Sequence, residues 1–312
     1  MRRHVTFIHG IANQPTPDRM ITSWKRALAD GGDGLDLDLY GVTTSMVYWA
    51  DVMYPETADA MVQNESVVFE GVTAGELHGD LDESYLETAD PAQQAFLDAM
   101  FETYHLDADE STPVPDVSDV EEGGAHELEA VPLPWFVKKP LMKIFLRDVH
   151  HYLFNTEHTP RPDETYLVQD EIRGRYIADF DALQADRHVI VAHSMGTVIS
   201  YDVLKRVPES LNVDGLITLG SPLGLSEIQE KMEPEYTKDN GFPEKLSMWV
   251  NVADGLDPVC GADPVIANDY KKNGELVIQD IKVRNEGAFR HPVNKYLRQR
   301  QVQDALKTAL GL

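Results

Sequence analysis

Cysteine and long apolar runs are scarce in this sequence, and their scarcity excludes several classes of protein. The single cysteine, Cys260, excludes an intramolecular disulfide framework and argues against a metal site built on thiolates. No apolar run approaches the ~18 residues that a membrane-spanning helix needs. The strand-like segment 4–8 follows the first three residues at once, which leaves no room for a signal peptide. We therefore expect a soluble, cytoplasmic protein.

Positive charge is absent from one long window of the chain. Residues 51–130 contain 22 aspartates and glutamates but no lysine or arginine, so they carry −22 of the net charge of −26. This local acidity differs from the surface-wide acidity of a protein adapted to high salt. Because contacts to phosphate groups need a basic face, the charge also disfavours nucleic-acid binding.

One stretch of the sequence changes from the period of a strand to that of a helix at a serine. Residues 189–192 form a short apolar run, whereas apolar side chains after Met195 recur at helical spacing. Such a tight turn needs small residues two positions before and after its centre, and Ala192 and Gly196 are both small. The pattern is the nucleophile elbow G-x-S-x-G, centred on Ser194, with alanine in the first glycine position. An ordinary strand-to-helix turn in a Rossmann-like sheet is the alternative.

A nucleophile elbow would bring a hydroxyl and free backbone amides together. It would expose the Ser194 hydroxyl beyond the carboxyl end of the sheet, beside the Met195 amide at the start of a helix, where the dipole favours negative charge. The first predicted strand ends in His9-Gly10, and a glycine there leaves the Ile11 amide available to donate. A simple strand exit explains the His-Gly pair equally well.

Strands and helices alternate over most of the remaining chain. Further strands are predicted at 215–219, 246–253 and 276–283, and a helix is predicted from about Pro162 to Leu183. This alternation indicates the α/β class, with a mostly parallel central sheet and helices on both of its faces.

The three groups that serine catalysis needs all follow predicted strands. A serine hydroxyl needs a base, usually a histidine, and the base needs a carboxylate that fixes its tautomer. Ser194, then Asp254 or Asp257, then His291 offer these groups in that chain order. His291 is also compatible with a plain position at the start of a helix, since Pro292 suits a first helical turn.

Together these features resemble the α/β-hydrolase superfamily, in particular bacterial serine esterases and lipase-like proteins. The resemblance covers residues 4–50 and roughly 140–312. Besides the elbow, it rests on segments 9–10, 147–153, 201–204, 219–223 and 257–259, and on His291 with Tyr296.

The resemblance implies an α/β-hydrolase fold and a triad of Ser194, Asp257 and His291, in the chain order that this fold uses. Asp257 is preferred to Asp254 because it precedes Pro-Val, as the acid does in many related hydrolases. The resemblance also implies an oxyanion hole formed by the amides of Ile11 and Met195. We expect no cofactor and no metal, since the spacing of Asp107, Asp109 and Glu110 lacks the glycine and the distal glutamate of a calcium loop.

Residues 51–139 interrupt the alternation and match nothing in this resemblance. We expect them to form an acidic cap or lid on a core of residues 1–50 and 140–312, with a flexible loop at 107–129. Within the cap, Asp90 and Pro91 predict the start of a helix. The residues predicted to line the substrate pocket are His9, Gly10, His193, Trp135 and Phe136. The alternative is a solvated appendage with no part in binding.

The expected reaction is hydrolysis of a small carboxylic ester with a hydrophobic part, through an acyl-enzyme. We expect no contact with nucleic acid, and packing of the amphipathic segment 135–153 on the core instead of on a membrane. The same triad would also serve an acyltransferase, a thioesterase, a lactonase or an amidase. A non-catalytic binding module on this scaffold is a further alternative.

Overall fold

The computed structural model describes residues 1–30, 34–58, 83–106, 135–207, 212–287 and 289–312, with backbone alone for residues 135–137. Its strands are β1 (Arg3–Ile8), β2 (Val42–Val47), β3 (Glu157–Arg161), β4 (Glu164–Leu167), β5 (Arg187–His193), β6 (Gly215–Leu219), β7 (Trp249–Ala253) and β8 (Gln279–Lys282). Six of them form an all-parallel sheet in the order β2-β1-β5-β6-β7-β8. β3 and β4 pair as an antiparallel hairpin.

Helices cover this sheet. They are α1 (Pro17–Ala29), α2 (Ala50–Met53), α3 (Ser84–Thr88), α4 (Pro91–Thr103), α5 (Trp135–Leu153), α6 (Val168–Asp181), α7 (Met195–Arg206), α8 (Ser226–Lys231), α9 (Val293–Leu297) and α10 (Arg300–Leu310). The predicted α/β class and parallel sheet, with helices on its faces, are therefore confirmed.

Alternate residues of each central strand enter two different hydrophobic cores, as the two-residue period of a strand requires. In β5, Val189 and Val191 face the core that holds residues of α1 and α10. Ile190 and Ala192 face the larger core, which holds residues of α5, α6 and α7. A parallel sheet covered on both faces explains why the central strands are continuously apolar.

The helix predicted from about Pro162 to Leu183 is wrong in its first part. Residues 157–167 form the β3–β4 hairpin, and α6 begins at Val168. Asp163 has a φ of 66°, in the left-handed region where aspartate tolerates a turn, so the chain reverses there instead of continuing as a helix.

The described part of the acidic insertion packs on the α/β core. Asp90 caps α4 as predicted, accepting hydrogen bonds from the amides of Ala92 and Gln93. The apolar face of α4 joins the larger core, and Tyr104, just after the helix, donates a hydrogen bond of 2.8 Å to the carbonyl of Val259. The predicted flexible loop at 107–129 lies outside the described residues. In the described ranges, no helix combines the length and apolar character needed to cross a membrane.

Candidate active site

Ser194 lies on a strained turn between β5 and α7. Its φ of 53° and ψ of −128° fall outside the regions that residues with a side chain ordinarily occupy. The sequence predicts an exposed hydroxyl, but the side chain is fully buried. Its Oγ makes no hydrogen bond to any residue in the described ranges.

The burial of Ser194 follows from the close approach of the loop after β1. A Cβ built on Gly10 would lie 2.7 Å from the Cβ of Ser194, and one on Gly196 would lie 2.6 Å from the carbonyl oxygen of His9. Any larger residue at either position would therefore force the loop and the helix apart. The exit of β1 and the first turn of α7 meet backbone to backbone.

The ring of His9 fixes this loop. Its Nδ1–H donates to the carbonyl of Gly10 at 2.8 Å, and its Nε2 accepts from the amide of Trp49 at 3.0 Å. The Trp49 indole stacks on the ring and donates to the His9 carbonyl at 3.1 Å. Burial lowers the pKa of His9 to about 4, so the ring is neutral at physiological pH. Both ring nitrogens thus serve the loop.

Asp257, in the loop after β7, and His291, in the loop after β8, form a buried pair. Nδ1 of His291 lies 2.9 Å from Oδ1 and 2.8 Å from Oδ2 of Asp257. The Tyr296 hydroxyl donates to Oδ2 at 2.7 Å, and the Val259 amide donates to Oδ1 at 2.9 Å. Because the carboxylate is an acceptor, Nδ1 carries the proton and the lone pair of the neutral imidazole is on Nε2.

Gly220, immediately after β6, lies against this pair. Its φ is 56°, and a Cβ there would lie 2.8 Å from Oδ2 of Asp257 and 3.2 Å from Nδ1 of His291. The preceding carbonyl, of Leu219, accepts a hydrogen bond of 3.0 Å from the amide of Ser194. The end of β6 therefore links the serine turn to the acid–histidine pair.

His193 lies beside His291, with ring centroids 4.5 Å apart. Its Nε2–H donates to the carbonyl of His291 at 2.9 Å. Burial, reinforced by the neighbouring His291, holds the pKa of His193 well below its usual value. His193 is therefore a neutral side chain that fixes the backbone of His291.

Asp254, the alternative acid, bonds to a different set of groups. Its Oδ1 accepts from the amide of Leu256 at 2.9 Å. Its Oδ2 accepts from the amide of Asn285 at 2.6 Å and from Nη1 of the buried Arg290 at 3.3 Å. These bonds occupy both oxygens, so Asp254 anchors the chain that leads from β8 to His291.

Both amides predicted to form an oxyanion hole belong to segments next to Ser194, one in the sequence and the other across the contact with the loop after β1. Met195 is the first residue of α7, and Ile11 follows Gly10, which contacts Ser194. No hydrogen bond between described residues uses either amide. Both are therefore available to a negatively charged oxygen.

Trp135 and Phe136 begin α5, but their side chains lie outside the described part of the structure. Their predicted place in a substrate pocket stays a prediction. In the described ranges, no group of three or more histidine, cysteine, aspartate or glutamate side chains is placed to hold a metal ion.

Several residues that hold the site together belong to no motif of the sequence. Trp49 and Gly220 carry no sequence signal beyond an aromatic residue and a glycine at strand exits. Asp148 has a clearer signal, because it falls on the apolar stripe of α5, one turn from both Ile144 and Tyr152. A carboxylate at such a position needs a buried partner.

Comparison with protein-family models and with curated proteins found no match for this chain. The functional interpretation therefore depends on the geometry of the site.

Asp254→Asn should destabilise the protein strongly, because it removes the negative charge from a buried ion pair with the Arg290 guanidinium. Breaking a buried pair of this kind costs about 3 kcal/mol or more, and urea denaturation measures the loss. Asp304→Asn is the matched control, since it breaks an exposed pair with Arg300 and should change stability by less than about 0.5 kcal/mol. Equal losses in the two variants would contradict the anchoring role of Asp254.

Proposed function

We propose that the protein is a serine hydrolase of the α/β-hydrolase type that cleaves carboxylic esters through an acyl-enzyme. The observation that carries the proposal is the buried Asp257–His291 pair at the sheet edge that also carries Ser194 on a strained strand-to-helix turn. A histidine held by a carboxylate through Nδ1 has the tautomer that a general base requires. Serine, aspartate and histidine follow the chain order of that fold.

The site's groups match the steps of acyl transfer. Oγ of Ser194 attacks the ester carbonyl while its proton passes to Nε2 of His291, and Asp257 stabilises the resulting imidazolium. The amides of Ile11 and Met195 stabilise the oxyanion. The alcohol leaves with the proton from His291. A water molecule then gives a proton to the same histidine and attacks the acyl carbon, and the acid leaves as Oγ of Ser194 takes that proton back.

The proposal requires a hydrogen bond between Ser194 Oγ and His291 Nε2 to form when substrate binds. In the described structure Oγ of Ser194 has no hydrogen-bond partner. Catalytic hydrogen bonds are commonly long or poorly aligned before substrate is bound. The burial of Ser194 likewise means that substrate enters only when neighbouring groups move.

The proposed substrate class is a neutral or cationic ester with a hydrophobic acyl or alcohol part. The sequence of the insertion supports it, because 22 carboxylates without a cation in residues 51–130 disfavour an anionic substrate.

We further propose that the insertion caps the site. The bond from Tyr104 to the Val259 carbonyl supports this, since it ties the end of α4 to the loop that carries Asp257.

Ser194→Ala should abolish hydrolysis of p-nitrophenyl butyrate, lowering kcat by ~10⁴-fold or more, as loss of a nucleophile does. Release of nitrophenolate measures the rate. Ser200→Ala is the matched control, because this buried serine lies two turns along the same helix and bonds to Tyr176 at 3.0 Å. Full activity of Ser194→Ala would rule out the assignment of the nucleophile.

Asp257→Asn should lower kcat by ~10³-fold or more, because an amide stabilises the wrong tautomer of His291. In Asp254→Asn, kcat per folded molecule should fall far less, since this residue acts on stability. The comparison is made at a temperature where circular dichroism shows both variants folded. The reverse ranking of the two kcat values would transfer the role of the acid to Asp254.

A further inference from the structure

Asp148 is a fully buried carboxylate that faces the loop after β1. Its Oδ2 accepts a hydrogen bond of 2.9 Å from the amide of Ala12. Arg147 donates to Oδ1 through Nε at 3.1 Å and through Nη2 at 2.9 Å, and the Tyr54 hydroxyl donates to Oδ2 at 3.2 Å. The charge of Asp148 is thus balanced, and its bond to Ala12 is charge-assisted.

The residue that Asp148 holds has an unusual backbone conformation. Ala12 has a φ of 70°, in the left-handed region that costs a residue with a Cβ about 1 kcal/mol or more. Such a conformation persists only where surrounding contacts impose it. The hydrogen bond from the Ala12 amide to Asp148, which lies on α5, is such a contact.

The hydrogen bonds on either side of Ile11 fix the direction of its amide. A trans peptide is planar, so the Ile11 N–H points away from the Gly10 carbonyl, which His9 holds at 2.8 Å. The next peptide joins Ile11 to Ala12. Its carbonyl accepts from Nε2 of Gln14 at 2.8 Å, and its N–H donates to Asp148. With both peptide planes held, Ile11 has little freedom to rotate.

We propose that Asp148 is a positioning residue that aims the Ile11 amide at the oxyanion. The inference rests on the proposed function, because it concerns the same site. The oxyanion forms only after Ser194 attacks, so a misaimed amide should lower kcat and leave KM nearly unchanged. Loss of a complete oxyanion donor costs ~10²–10³-fold in kcat, and a displaced donor should cost at least ~10-fold.

Two substitutions separate the hydrogen bond from the charge. Asp148→Ala removes the acceptor for the Ala12 amide. Asp148→Asn keeps an acceptor of the same shape but removes the charge that Arg147 neutralises, so its effect on kcat should be smaller. Asp202→Asn is the matched control, because Asp202 is equally buried and bonds to Tyr152, Arg173 and Arg206 without contact to the loop.

The experiment measures kcat and KM for p-nitrophenyl butyrate, stability in urea, and hydrogen exchange of the Ala12 amide in the three variants. Exchange at Ala12 should become ~10-fold faster or more in Asp148→Ala, as the loss of a protecting hydrogen bond predicts. In Asp202→Asn the exchange at Ala12 should stay as in the wild type, and kcat should change far less than in Asp148→Ala. If Asp148→Ala does not fold, Asp148→Asn should still lower kcat with KM unchanged.

The outcomes distinguish failure of this inference from failure of the proposed function. Hydrolysis by the wild type together with an unchanged kcat in the Asp148 variants would overturn the positioning role alone, even if exchange at Ala12 became faster. Equal losses of kcat in Asp148→Asn and Asp202→Asn would also overturn it, since a general loss of stability would then explain both. No hydrolysis by the wild type would overturn the proposed function and, with it, the catalytic role of Asp148, whatever the exchange at Ala12.

Discussion

The close approach of the β1 exit to the first turn of α7 is the constraint on which the site depends. It is sterically allowed only because Gly10 and Gly196 have no side chain at the contact. The strain at Ser194 costs about 1–3 kcal/mol. Burial of one large apolar side chain contributes about 1.5–3 kcal/mol, and every residue of α7 from Met195 to Leu204 is buried. Packing of the helix therefore outweighs the strain at its start.

The order of the strands explains how distant residues meet. β5, β6, β7 and β8 are neighbours in the sheet in that order, and all are parallel. Their carboxyl ends therefore lie along one edge, which carries Ser194 after β5, Gly220 after β6, Asp257 after β7 and His291 after β8. The contacts at Gly220 and the Asp257–His291 pair follow from this arrangement, although the residues are up to 97 positions apart in the sequence.

Local patterns in the sequence predict the sheet, the elbow and the cap of α4, because each depends on neighbouring residues. Apolar runs mark the central strands, and Asp90 with Pro91 marks a helix start. The sequence also orders Ser194, Asp257 and His291 correctly along the strand ends. The resemblance favours Asp257 over Asp254, but the anchoring role of Asp254 depends on Arg290 and Asn285, which approach it from another loop. No local pattern shows such a contact.

Two further features depend on contacts between distant segments and were not predicted. The burial of Ser194 results from the loop at Gly10, which is 184 residues away in the sequence. The role of Asp148 results from its contact with Ala12, which is 136 residues away. The hairpin at 157–167 is a different case, because a left-handed turn at Asp163 overrides a helical pattern.

Mapping the covalent adduct that a fluorophosphonate forms tests the central claim most directly. Such reagents react with a serine only where a base activates it and amides stabilise the developing oxyanion. After digestion and mass spectrometry, the adduct should be found on the peptide that contains Ser194, with one adduct per chain. An adduct on another residue, or no adduct on a correctly folded protein, would contradict the account.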